Sequence, residues 1–89
     1  MNRKALLRRL SAGALQNVTF RDFMHLALGF GFQLDRVSGS HHILIHPGIK
    51  EIVNVQNVRG QAKPYQIRQF LRLVERYSLM LEEERRPEE

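Results

Sequence analysis

The sequence predicts an α+β fold, a three-stranded antiparallel sheet with helices on one face, in the order α-α-β-β-β-α. Three observations predict it. Apolar residues recur at helical spacing up to the glycines near residue 30, alternate with polar residues from Phe32 to Gln56, and return to helical spacing from Pro64. The β-like runs "FQLDRV", "HHILIH" and "EIVNVQ" are separated only by "SGS" and "PGIK", links too short for a parallel crossover, so a meander is the simplest connection. A sheet this small cannot carry helices on both faces, which leaves one face open. With 89 residues the chain has room for one hydrophobic core.

Each element has its own signal. "RKALLRRLSAG" sets Leu6, Leu7 and Leu10 on one helical side and Arg3, Lys4, Arg8 and Arg9 largely on the other, and Gly13 supplies the stop. Thr19 is the expected N-cap of the second helix, with Asp22 completing a capping box and Val18 and Phe23 at the staple positions. That helix should bury Phe20, Phe23, Met24 and Ala27 and end at Gly29 or Gly31. The last helix opens at Pro64, a residue suited to the first helical position. Ile67, Phe70, Leu71, Val74, Tyr77 and Leu81 carry its apolar stripe as far as Leu81. Glu82, Glu83 and Glu84 then fall where the helix dipole disfavours acids, so fraying is expected. The single domain, 1–89, thus divides into an N-terminal helical extension (1–17), a core (18–81) and a frayed acidic tail (82–89).

Charge narrows the partners. The net charge of +5 conceals an asymmetry: residues 1–81 hold twelve bases against four acids, a net of +8. A domain so basic attracts polyanions at long range, and nucleic acid is the commonest of them in a cytosol. The plainer alternative is a solvated basic face. No apolar run approaches the roughly 20 residues that cross a bilayer, and the basic start lacks the uncharged stretch of a signal peptide, so a cytoplasmic protein without membrane contact is expected. The absence of cysteine excludes disulfides, thiolate catalysis and thiolate zinc ligation.

"VSGSHHILIHPG" gathers three histidines. On a strand, His42 and His46 share a face but start about 13 Å apart, while His41 points the other way, so one ion cannot reach them all. No metal and no cofactor are expected. Catalysis needs only one imidazole, because histidine exchanges protons near neutral pH and RNA brings its own nucleophile, the 2′-hydroxyl. His41 is the best placed, directly after a Gly39-Ser40 turn whose backbone and hydroxyl donors can approach a phosphate. His25, in mid-helix, and His46, beside a turn, read as structural or solvent-facing.

The stretch "GFGFQLDRVSGSHHILIHP" resembles the central segment of the HicA toxins, small proteins of bacterial type II toxin-antitoxin systems. The likeness extends over residues 18–79. It implies a fold similar to a double-stranded-RNA-binding domain, α-β-β-β-α, here with an extra short N-terminal helix. It also implies a translation-independent mRNA interferase whose catalytic residue is the histidine after the Gly-Ser pair, His41, and a HicB antitoxin as partner. One departure stands out: where many members carry a second histidine after the third strand, this chain has Gln56, which cannot shuttle a proton at neutral pH.

The candidate RNA contacts are Gly39, Ser40 and His42 around the turn and Lys63, Arg68, Arg72 and Arg76 along the last helix. The three arginines recur every four residues, an arrangement of like charges that costs a few tenths of a kcal/mol per pair unless an anion neutralises it. Lys63 adds charge at a helix N-terminus already favourable to phosphate. Two other readings use the same features: an RNA-binding module of the same fold that does not cut, and a domain that docks another protein.

Overall fold

The computed structural model describes residues 1–85. Helix α1, Arg3–Ser11, is capped by Asn2, whose side-chain oxygen accepts from the Ala5 amide at 3.0 Å. Its Leu6 and Leu10 are buried, so the N-terminal extension contributes to the core. Arg3 locks α1 to the next helix: its Nε donates to the His25 carbonyl at 2.8 Å and its stem lies flat over Gly29. A Cβ at Gly29 would stand 2.6 Å from Arg3 Cδ, so a larger residue there would push the Arg3 side chain off the helix.

Helix α2, Phe20–Gly29, starts where the capping signal predicts, with Thr19 Oγ1 accepting from the Asp22 amide at 3.1 Å. Phe23, Leu26 and Ala27 are buried, and Phe20 and Met24 pack half-buried against the same cluster. Strands β1 (Gln33–Ser38), β2 (His41–Ile45) and β3 (Val53–Gln56) form the expected antiparallel meander in the order β1-β2-β3. One face supplies Leu44, Val53 and Val55 to the core beneath α2 and the last helix. The β1–β2 register shifts between Leu34 and Arg36, a bulge at Asp35, and β1 is exposed along its whole length.

Helix α3, Pro64–Arg76, buries Ile67 and Phe70. The Phe70 ring sits 5.1, 5.7 and 5.2 Å from those of Phe23, Phe30 and Phe32, at inclined or edge-on angles that aromatic pairs favour. These rings close the core between the helices and the sheet.

The largest departure from expectation is the end of α3, which stops at Arg76 rather than Leu81. The Ser78 amide donates to the Glu75 carbonyl at 3.2 Å and the Leu79 amide to that of Val74 at 2.9 Å, with Ser78 in the left-handed region at φ 51°. That is a Schellman stop with serine in the place usually held by glycine. The chain then folds back, Leu81 is fully buried, and Glu82–Glu84 form one 3₁₀ turn. Glu83 lies 3.5 Å from Arg3. The fraying that the sequence predicts concerns 82–89; of these, Glu82–Glu84 lie in the turn that follows Leu81, and 86–89 lie outside the described residues. Among the described residues no helix is long and apolar enough to cross a membrane.

Candidate nucleic-acid site on the open sheet face

The β1–β2 hairpin turns on two residues, Gly39 and Ser40, between the paired Ser38 and His41. Gly39 has φ 58° while Ser40 is outside the left-handed region, the type II′ pattern whose twist matches a hairpin and which needs glycine first. Both turn residues are exposed. The Ser40 carbonyl accepts from the Asn57 amide at 3.0 Å, which ties the turn to the end of β3.

His41 therefore begins β2 with its side chain on the face opposite Leu44, where no helix packs. Pairing with β3 sets it between two amide side chains. His41 Nδ1 lies 3.1 Å from Asn54 Oδ1, and its Nε2 lies 3.2 Å from Gln56 Nε2. Gln56 connects in turn to α3: its backbone amide donates to Gln66 Oε1 at 2.8 Å, and Gln66 Nε2 donates to Gln56 Oε1 at 3.4 Å. Among the described residues Gln66 is the one buried polar side chain, 2 % exposed, and its Nε2 also reaches the Tyr65 hydroxyl at 3.4 Å. The His41 ring itself is half-buried.

The cations divide along α3. Lys63 is the N-cap of the helix, and its Nζ lies 5.8 Å from the centre of the exposed Tyr65 ring, a cation–π contact. Lys63 and Tyr65 thus belong to the end of α3 that meets His41 through Gln66 and Gln56. Arg68 and Arg72 are exposed and make no ion pair among the described residues. Arg76 is at the other end, ten residues and about 15 Å along the helix from Gln66. There its Nη1 donates to Glu51 at 3.1 Å, and the Tyr77 hydroxyl donates to the same carboxylate at 2.6 and 2.8 Å. The Tyr77 hydrogen bond, aided by Arg76, holds the Glu51 carboxyl below its ordinary pKa, and the same bond raises that of the Tyr77 phenol.

The remaining histidines have other surroundings. His42 faces the core side, its ring 4.5 Å from that of Phe20 and its Nδ1 donating to the Ser40 carbonyl at 3.1 Å. It is not on the face that carries His41. His46 follows β2, bonded to the Phe30 carbonyl at 3.1 Å and the Gly48 amide at 2.9 Å, with its ring edge-on to Phe32. His25 is exposed on α2. The structure thus gathers His41, Ser40, Gly39 and, through the amide network, Lys63 at one end of the sheet; it sets Arg76 and His42 apart from them.

Asn54, Gln66 and Tyr65 were not singled out from the sequence. The alternation "VNVQ" does put Asn54 and Gln56 on one face, but which residue they flank depends on a register that only pairing with β2 supplies. Gln66 had a clearer signal, a polar residue beside Ile67 at an inward position of the α3 stripe.

The chain matches the family model described as the HicA toxin of bacterial toxin-antitoxin over residues 20–75. The match runs from the start of α2 almost to the end of α3 and includes the hairpin, His41, Asn54, Gln56 and Gln66. No curated protein and no solved structure matches the chain.

Proposed function

The chain belongs to the HicA family of toxins of bacterial toxin-antitoxin systems, and from that premise we propose that it is a metal-independent mRNA interferase in which His41 carries the proton transfer. One observation carries the reading: the His41 imidazole stands on the uncovered sheet face, its two nitrogens held only by neutral amides of Asn54 and Gln56. A ring so held is free of any carboxylate or backbone group that would commit it to structure.

The chemistry needs nothing further as reactant. The 2′-oxygen of a nucleotide bonds to the adjacent phosphorus while its proton leaves to an acceptor, and the bond from phosphorus to the 5′-oxygen breaks with its electron pair on that oxygen, which takes a proton from the imidazolium or from water. The products are a 2′,3′-cyclic phosphate and a 5′-hydroxyl. His41 assists either at the first proton or at the last. Gly39 and Ser40 contribute an exposed amide and hydroxyl for the phosphoryl oxygens, each donor being worth about 3 kcal/mol when well aimed. Lys63, Arg68 and Arg72 anchor flanking phosphates, and Tyr65 offers an exposed ring on which a base can stack.

The family implies an antitoxin partner. A HicB-type antitoxin that covers the open sheet face or the cationic end of α3 is the natural form of inhibition, in a cytoplasmic setting. Gln56 favours a second reading: with an amide on His41 Nε2 and no second histidine beside it, the protein binds RNA without cutting it. Inducible expression of wild type beside His41→Ala, with transcripts mapped by primer extension and growth followed, separates the two. New 5′ ends and growth arrest are expected from wild type alone. Identical transcript ends and growth in both strains, with both proteins folded, sink the nuclease reading.

A further inference from the structure

We infer that Gln66, Gln56 and Asn54 are positioning residues that fix the resting proton of His41 on Nδ1 and leave Nε2 as a lone pair, so that the ring is presented as a base. The inference rests on the proposed nuclease for its use in catalysis, whereas the proton placement stands on geometry alone.

The assignment starts from the one group in the network that cannot change its role. The Gln56 backbone N–H is a donor in any state, so the Gln66 atom 2.8 Å from it is the carbonyl oxygen. The other end of that amide is then NH₂, which donates across 3.4 Å, and the Gln56 atom receiving it is Oε1. This turns the Gln56 NH₂ toward His41 at 3.2 Å, and a donor there meets an acceptor, so Nε2 is bare. The neutral ring must carry its proton on Nδ1, and that proton points at Asn54 Oδ1, 3.1 Å away. One backbone amide at the outer edge of β3 thereby sets the tautomer of a ring on the neighbouring strand.

Burial strengthens the relay. Gln66 is 2 % exposed, and no water competes readily for an amide held on both sides, so turning it over would leave the Gln56 N–H facing another donor. The Gln56 side chain is only half-buried. It can swing off Nε2 when a 2′-hydroxyl arrives, and its freed NH₂ then has a phosphoryl oxygen within the same small region to donate to. The order of proton steps follows. A ring that rests with a bare Nε2 takes the 2′-hydroxyl proton, and the departing 5′-oxygen draws its proton from solvent or from the imidazolium that the first step leaves behind.

The test reads the ring nitrogens by long-range ¹H–¹⁵N correlation on labelled protein without RNA, at a pH where imidazole is neutral. Wild type is expected to show His41 as a single tautomer protonated at Nδ1; a proton on Nε2, or the mixture of a free imidazole, overturns the inference. In Gln66→Glu the carboxylate accepts from both the Gln56 backbone and side chain, the Gln56 amide turns its oxygen to His41, and the proton is expected on Nε2. Because a buried carboxylate can impair folding, Gln56→Glu at the half-buried site serves as the second variant, with the same shift of the proton to Nε2 expected. A bare Nε2 in either folded variant overturns the relay. Cleavage measured beside the spectra keeps the two proposals apart. RNA cut by wild type with its proton on Nε2 removes this inference and leaves the nuclease, whereas RNA left whole by wild type with its proton on Nδ1 removes the nuclease and leaves the positioning.

Discussion

His41 and His46 bracket the same strand, and both have each ring nitrogen within hydrogen-bond distance of a partner, yet the partners differ in kind. His46 donates from Nε2 to the Phe30 carbonyl and accepts at Nδ1 from the Gly48 amide, so it rests in the Nε2–H form with the backbone on both sides. His41 meets only side-chain amides, from Asn54 and Gln56. A backbone group cannot turn away without distorting the chain, while a side-chain amide rotates about single bonds. The difference teaches that two rings equally supplied with hydrogen-bond partners can differ in how readily those partners give way, and on the proposed function that freedom is what sets His41 apart from His46.

Alanine at each position breaks this comparison most sharply. His41→Ala is expected to lower the RNA cleavage rate by about 10²- to 10⁴-fold, the usual contribution of a positioned proton-transfer group, with little change in the denaturant midpoint. His46→Ala should do the reverse. It leaves the Phe30 carbonyl and the Gly48 amide without their partner and removes the ring from Phe32, a loss of about 2 kcal/mol or more in urea unfolding, with cleavage per folded molecule retained. If the two variants lose stability and cleavage in the same proportion, the distinction between the rings is void.

The cations of α3 sharpen the comparison at the level of substrate. Lys63 belongs to the end of α3 that reaches His41, whereas Arg76 is engaged by Glu51 at the other. Lys63→Ala is expected to reduce the slope of log affinity against log salt by about 0.7 for single-stranded RNA, and Arg76→Ala by less, as measured in filter-binding titrations. Equal slopes for the two variants would place the RNA along the whole helix.

The smallest effect concerns pH. The Glu51 carboxyl is held below its ordinary pKa by the Tyr77 hydroxyl and Arg76, so its contribution to stability is present above the unfolded carboxylate value and is lost as pH falls through the lowered one. The Tyr77 phenol is raised, so its part is present below its unfolded value and is lost as pH rises through the raised one. Tyr77→Phe should therefore flatten the stability profile slightly at both extremes, in thermal unfolding across pH, and leave the His41 end of the sheet unaffected.

Much of the fold was legible because its signals are local. The Thr19 cap, Pro64 at the start of α3 and the Gly39 turn each act within a few residues and lie where the sequence predicts. The end of α3 was not, since Tyr77 and Leu81 continue the helical spacing and a serine gives no warning of the left-handed residue that stops it. At the site, the turn and the alternation of faces isolate His41 from His42. Its partners were not legible: Asn54 and Gln56 reach it only through the β2–β3 register, and Gln66 only through the packing of α3 on β3.

A three-stranded sheet has two outer edges, each a row of backbone groups on which another chain can grow. Gln66 occupies the Gln56 amide on one of them, and the bulge at Asp35 with the charge of Arg36 interrupts the other. One edge thus has an amide already taken and the other is bent, and both features shorten the straight run on which a second copy could pair strand to strand.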